Sequence, residues 1–413
     1  MTRRVLMIAF HFPPVHGSSG VQRTLKFSRY LPRFGWDPLV LTVHPRTYPE
    51  TTRGQLGDIG EETVVARAFA LDTARHLAVA GRYPGWFAVP DRWISWWFAA
   101  VPIGLRLIRR YRPAAIWSTY PIATAHLIGH SLHRLSGLPW IADFRDSMTE
   151  ENYPKDPRVR RAYLAIERRA VTHCARAVFT TPGAVRMYAA RYPSVPATRW
   201  HMIANGYDEE NFSDAEAVPG IRSGGGPLVL VHSGLLYPSE RDPTAFFTAL
   251  QALKRNGRIG AGSIKVILRA TGHDAYYRPM LARYGLDDIV FLEPAIAYRD
   301  ALAEMLRADG LLIFQAANCN HQIPAKIYEY LRARRPILAL TDAAGDTAAV
   351  LRTAGIDTMA PLDSAAAIEA SLSAFVERVR AGTAPVAGES EIARHSRVAG
   401  TQELARLLDA LGK

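Results

Sequence analysis

Short apolar runs and helical patterns alternate along this chain, and the alternation is run through twice. The first series of apolar runs falls at 4–10, 38–43, 63–69, 114–118, 139–144, 177–181 and 200–204, and the second at 228–232, 264–270, 289–292, 309–314 and 336–340. Short apolar runs bounded by turn residues read as strands buried on both faces. Helix-spaced stretches such as 21–34, 157–173, 183–192 and 244–253 lie between them. Strand, helix, strand in repetition builds a parallel sheet, because parallel neighbours need a long crossover connection. At 413 residues the chain exceeds one ordinary core. Residues 213–226, with Ser, Pro and the run Gly224-Gly225-Gly226, make the best linker. The expected organisation is α/β, with doubly wound units at 1–212 and 227–390 joined by the linker 213–226. A last helical stretch, 391–413, has no strand after it and is expected to pack back across the linker toward the first unit.

Composition narrows the class. Hydrophobic residues make up 48% and charged residues 21%, the balance of a soluble globular chain. Cys174 and Cys319 are the only cysteines, which excludes a disulfide framework and a cysteine metal site and suits a reducing compartment. The apolar run after Arg4 is too short for a signal peptide and stops at Pro13-Pro14; the longest charge-free run, 93–105, is too short to span a bilayer. Charge is lopsided. Residues 1–215 hold 28 Lys/Arg against 17 Asp/Glu, or +11, whereas 216–413 hold 22 against 21, or +1. The basic half suits an anionic partner, and the bland alternative is solubility. No recognition motif for nucleic acid is present, so none is expected as a partner. Residues 93–112 run from aromatic to basic. They read either as a membrane-surface contact or as a buried crossover helix with an arginine-rich end.

Four stretches carry candidate chemistry. Around residues 322–335, Pro324 suits a first helical turn, and Gln322, Lys326 and Glu329 share a polar stripe at helical spacing. A cation and a carboxylate at a loop-to-helix junction face the crevice where open parallel sheets bind nucleotides. The same pair also fits an exposed i, i+3 ion pair. The turn holding Gly17 and Gly20, between the first strand and its helix, lets backbone approach a phosphate or a sugar. It is neither a P-loop nor Gly-x-Gly-x-x-Gly. Arg23 and Lys26 run against the dipole of that helix, as an anion bound at its start or a solvated face would allow. Asp143-Phe144-Arg145-Asp146 close a strand at the end where α/β sites form, or tie a loop through an Arg145 salt bridge. His126 and His130 are spaced i, i+4 with no third ligand near, so a metal is not expected.

These residues together resemble the retaining, nucleotide-sugar-dependent glycosyltransferases of family 4. The resemblance rests on His11-Phe12-Pro13-Pro14 with Gly17, Gly20 and Arg23, and on Trp140 through Asp146. It also rests on Asn205-Gly206-Tyr207-Asp208 with Phe212, on Ser233-Gly234 with Arg241-Asp242-Pro243, and on Ile323 through Leu331. It implies the GT-B fold, two Rossmann-like domains facing a cleft. It implies a donor site of Gly17, Gly20, Ser233, Gly234, Arg241, His321, Lys326 and Glu329, with Arg241 on the diphosphate and Glu329 on the ribose. His321 stands where the family often has a second glutamate against the donor sugar. Asp143, Asp146 and His126 are the candidates for the catalytic place near the reacting carbon. With cations on the leaving diphosphate, neither metal nor cofactor is implied. The expected activity is transfer of a hexosyl or N-acetylhexosaminyl unit (EC 2.4 class) from a nucleotide diphosphate sugar to a membrane-associated, polyprenyl-diphosphate-linked glycan in surface polysaccharide synthesis. The enzyme is then cytoplasmic and peripheral on the inner face of the cytoplasmic membrane. The alternative is a non-catalytic sugar-nucleotide or glycan binding protein of the same fold.

Overall fold

A computed structural model describes residues 3–16, 19–151, 153–216 and 226–411. Gly17 therefore lies outside the described residues, as does most of the expected linker. Among the described residues the strands form two sheets, one of seven strands and one of six. In the first sheet lie β1 (Arg3–Ile8), β2 (Trp36–Val43), β3 (Val64–Ala68), β4 (Ala115–Thr119), β5 (Trp140–Arg145), β6 (Arg176–Phe179) and β7 (Trp200–Met202). In the second lie β8 (Leu228–Ser233), β9 (Ile264–Arg269), β10 (Val290–Glu293), β11 (Gly310–Phe314), β12 (Ile337–Leu340) and β13 (Met359–Ala360).

The orders are β3-β2-β1-β4-β5-β6-β7 and β10-β9-β8-β11-β12-β13, and every pairing is parallel. Each sheet is therefore doubly wound, and each reverses direction once, at β1/β4 and at β8/β11. The central strands explain this arrangement. Every residue of β4, β5, β11 and β12 is buried, as strands covered by helices on both faces must be. A ligand crevice forms outside the carboxyl ends of the strands where the winding reverses, so each sheet has one such place.

The chain divides into a first unit, Met1–Asn205 with Arg397–Lys413, and a second unit, Gly206–Ser396. The expected boundary after residue 212 is thus displaced. Residues Glu209–Glu216 form a helix instead of linker, and Arg332 of the second unit holds both Glu209 (2.7 Å) and Glu216 (3.0 Å). The expected single terminal helix is two helices, Glu389–Arg394 and Arg397–Asp409. They break where Tyr207 N–H donates to the His395 carbonyl at 3.1 Å. Gly206 is required beside that bond, since a Cβ there would fall 2.2 Å from the same oxygen. The Arg397–Asp409 helix belongs to the first unit, where the Trp36 indole N–H donates to Asp409 at 2.8 Å.

The aromatic stretch 93–112 resolves into the helix Trp96–Tyr111. Trp96 is fully buried and Trp97 bonds Ser131 at 3.0 Å, so these tryptophans serve the crossover helix rather than a membrane contact. Within the helix Phe98 is 69% exposed, and in the segment before it Val79 and Trp86 are 81% and 64% exposed.

Candidate functional site

In the second unit, β8 ends at the reversal point and delivers His232, Ser233 and Gly234 to the carboxyl rim. The helix Lys326–Ala333 follows β11, the strand paired with β8. Its first residue, Lys326, turns back across the rim, and its ammonium donates to His232 Nε2 at 3.1 Å. The other ring nitrogen, Nδ1, is 2.9 Å from the Leu312 carbonyl, which can only accept. Nδ1 therefore carries the proton, and Nε2 is free to accept. Burial, followed by the positive charge of Lys326, holds His232 neutral, well below the usual histidine range. Lys326 itself is brought down to about 7, by burial first and by Arg241 second, with Glu329 opposing. The alternative of an exposed Lys326–Glu329 pair is therefore not what forms.

Gly234 shows how tightly the ammonium is seated. Its φ is +117°, and a Cβ on it would sit 2.8 Å from Lys326 Nζ. The Gly234 N–H is bonded to the Arg269 carbonyl (2.8 Å) and the Ser233 N–H to the Tyr330 hydroxyl (2.9 Å). Ser233 and Gly234 thus shape the turn and leave room; their amides are already committed. Arg241 lies on the loop after this turn, donating to the Leu235 carbonyl at 3.1 Å and lying over the Tyr237 ring. Its charge bears on both Lys326 and His232. One turn into the helix, Glu329 accepts from the Tyr298 hydroxyl at 2.6 Å. His321 is partly buried in the connection between β11 and this helix, a connection held by Gln315, whose amide donates to the Cys319 and Gln322 carbonyls at 2.9 Å each. Arg241, Lys326 and Glu329 are therefore one electrostatic cluster around the start of one helix. Sequence reading overlooked His232, Tyr298 and Tyr330, whose partners lie 94, 31 and 97 residues away.

The first unit disposes of its candidates differently. Asp143 is fully buried and receives two bonds from Arg23 (2.9 and 2.8 Å) and one from Thr119 (2.9 Å). Arg23 also donates to the Ala204 carbonyl at 3.2 Å. In this structure Asp143 is the buried ion-pair partner of Arg23. His126 is enclosed as well. It is fully buried against Trp140 and Phe144 with Nδ1 2.8 Å from Ser118, and burial lowers it to about 4 against the opposing charge of Asp143. Asp146 alone of the three is exposed. Arg23 and Lys26, which ran against their helix dipole, are fully buried, and each meets a carboxylate: Asp143 at 2.8 Å and Asp58 at 3.2 Å. Gly20 lends its carbonyl to Arg145 at 3.2 Å.

The sequence model of the glycosyl transferase 4-like domain matches residues 19–206. No curated protein matches the chain's sequence. Solved structures resemble it over its whole length. Sucrose-phosphate synthase of Thermosynechococcus elongatus has 15% identity over 99% of each chain, with a TM-score of 0.64. The N-terminal domain of trehalose-6-phosphate phosphatase from Candida albicans has 11% identity over 100% of this chain and 98% of that one, with a TM-score of 0.70. HepE of Anabaena, in complex with UDP, has 13% identity over 99% and 100%, with a TM-score of 0.63. At such identities the likeness establishes the fold, which is GT-B. The first unit thus carries a glycosyl transferase 4-like domain, set within a chain of GT-B fold.

Proposed function

We propose that the second unit binds a nucleotide diphosphate sugar and that the enzyme transfers its hexosyl or N-acetylhexosaminyl group, with retention and without a metal, to a polyprenyl-diphosphate-linked glycan in surface polysaccharide synthesis. The observation that carries the donor part is the seat of Lys326. Its ammonium is held over the Gly234 turn at the reversal point of the second sheet, beside Arg241 and one turn before Glu329. As the glycosidic bond breaks, the departing nucleoside diphosphate gains charge. Fixed cations at that position stabilise the transition state more than the ground state. Glu329, oriented by Tyr298, accepts from ribose hydroxyls, and His321 lies toward the sugar. HepE, a structural neighbour, was solved with UDP, which agrees with a uridine-type donor.

The acceptor part rests on the surface of the first unit. Residues 73–112 contain seven arginines and one acidic residue, Asp91, which is buried. Exposed Val79, Trp86 and Phe98 accompany that charge. Such a surface suits the anionic inner face of the cytoplasmic membrane, where a lipid-linked acceptor resides. No helix among the described residues is long and apolar enough to cross a membrane, so the contact is peripheral in this reading.

Thermal protection of the full chain by UDP and a panel of nucleotide sugars tests the donor site. Protection is expected in the wild type and is expected to vanish in Lys326→Met and Glu329→Ala. Undiminished protection in both variants overturns the assignment.

A further inference from the structure

The Lys326 ammonium keeps its place over the Gly234 turn by leaning on a side chain buried in the sheet. That side chain, His232, stands on β8 next to β11 and is 1% exposed. Its ring meets the core residue Phe314 edge-on, with centroids 5.0 Å apart. Packing alone would account for a histidine so placed, but two features set this one apart. The ring is bonded at both nitrogens: Nδ1 donates to the Leu312 carbonyl at 2.9 Å, and Nε2 accepts from Lys326 at 3.1 Å. The backbone just beyond it leaves room for the ammonium, since a Cβ on Gly234 would lie 2.8 Å from Lys326 Nζ and 3.4 Å from its Cε.

A neutral imidazole donates from one ring atom and accepts at another across a rigid frame. Anchored at Nδ1, His232 presents Nε2 in one fixed direction and takes one of the three N–H donors of the ammonium. The other two remain for the oxygens of a diphosphate. A carboxylate in the same position would hold Lys326 as firmly but would spend its charge, as Asp143 spends that of Arg23. The carboxylate on the same helix stripe, Glu329, instead accepts from the Tyr298 hydroxyl at 2.6 Å. The charged groups that bear on His232 are Lys326 and Arg241, and those that bear on Lys326 are Arg241 and Glu329.

We propose that His232 is a positioning residue of the transfer reaction: through its Nε2 bond it fixes the Lys326 ammonium for the departing diphosphate and leaves the charge unspent. The role rests on the donor reading of the second unit and adds to it a buried group that itself touches no substrate. Because His232 acts only through Lys326, its influence is confined to the diphosphate part of the donor. A histidine that merely packs would support nucleoside and diphosphate alike.

The test is calorimetric titration of the full chain with UDP and, separately, with uridine, so that the ratio of the two affinities reads the diphosphate contribution. His232→Asn keeps a donor near the Nδ1 position and removes the acceptor at Nε2. It is expected to lower UDP affinity about tenfold and to leave uridine affinity unchanged, which also shows that the site is folded. His232→Gln, whose amide oxygen reaches toward the Nε2 position, is expected to bring UDP affinity back to within about twofold of the wild type. His232→Glu sets a carboxylate against Lys326 and is expected to weaken UDP binding by about tenfold or more. It is also expected to move the loss of UDP affinity that begins near pH 7 in the wild type to higher pH, because a carboxylate stabilises the ammonium. Equal weakening of UDP and uridine in His232→Asn overturns the positioning role. So does UDP binding that Lys326→Met weakens but that ignores both His232→Asn and His232→Glu, an outcome that leaves the donor reading standing. UDP binding that is absent, or that ignores Lys326→Met, overturns the donor reading and this role with it.

Discussion

The two sheets share a winding order through their first six strands and place their reversal points alike, yet they treat the charged residues at those points in opposite ways. Beside β1/β4 the central pair, Arg23 and Asp143, is sealed: both are buried, and Arg23 donates two bonds to the Asp143 carboxylate. At β8/β11 the cation is poised. Lys326 is partly exposed, leans on a neutral histidine rather than a carboxylate, and has its proton affinity drawn down toward neutrality. A cation locked to a carboxylate serves the fold. A cation resting on a neutral acceptor keeps its charge available for a ligand. Topology therefore selects the place of a site, and pairing decides whether the place is used.

The sharpest way to break this contrast is Asp143→Ala. It strands Arg23 without its counter-charge, and breaking one side of a buried pair costs about 3–5 kcal/mol. Urea unfolding should show that loss, while the fraction that remains folded keeps its nucleotide affinity. Full stability with lost transfer would make Asp143 catalytic after all and erase the distinction. Next in size is Gly234→Ala. The new methyl meets Lys326 Nζ at 2.8 Å and the backbone there has φ of +117°. A cost of about 1–3 kcal/mol is expected in thermal unfolding, with UDP affinity reduced roughly tenfold by the displaced ammonium.

The proton on Lys326 gives a finer measure. Its free-protein value of about 7 means that an anion binds best to a form that disappears as pH rises. Anion binding raises that value, so the favourable contribution is complete below 7 and is lost between 7 and the higher bound value. UDP affinity should fall by at most about tenfold per pH unit in that window, with proton uptake visible in calorimetry across buffers. Lys326→Arg should flatten the dependence; an unchanged slope in that variant assigns the proton elsewhere. The smallest effect concerns the first unit's surface. Phe98→Ser should weaken co-sedimentation with anionic vesicles by about 1 kcal/mol, or roughly fivefold, from lost apolar burial. UDP binding should not move, and equal vesicle binding by both proteins would remove Phe98 from any membrane contact.

Much of the architecture could be read directly from the chain. The strands at 228–232 and 309–314 announce themselves as uninterrupted apolar runs, and they appear as β8 and β11 within a residue at either end. What escaped reading was short or dependent on a distant partner. β13 is two residues long, too brief for any period. The helix Glu209–Glu216 hides beside turn-forming Asn205-Gly206, and its acidic face makes sense only once Arg332 is seen between Glu209 and Glu216. In the site, Lys326 and Glu329 stood out because helical spacing is local. His232 did not, because nothing in its own strand distinguishes it from a core histidine.

The amino-acid sequence by itself determined two parallel, doubly wound sheets, since burial on both strand faces and helical periodicity are properties of short windows. Only the tertiary structure decided which charges are bound to one another and which are offered outward. Arg23 finds Asp143 across 120 residues and Lys326 finds His232 across 94. Electrostatic pairing is set by separation in space and by the dielectric around it, and neither quantity exists until distant segments have been brought together.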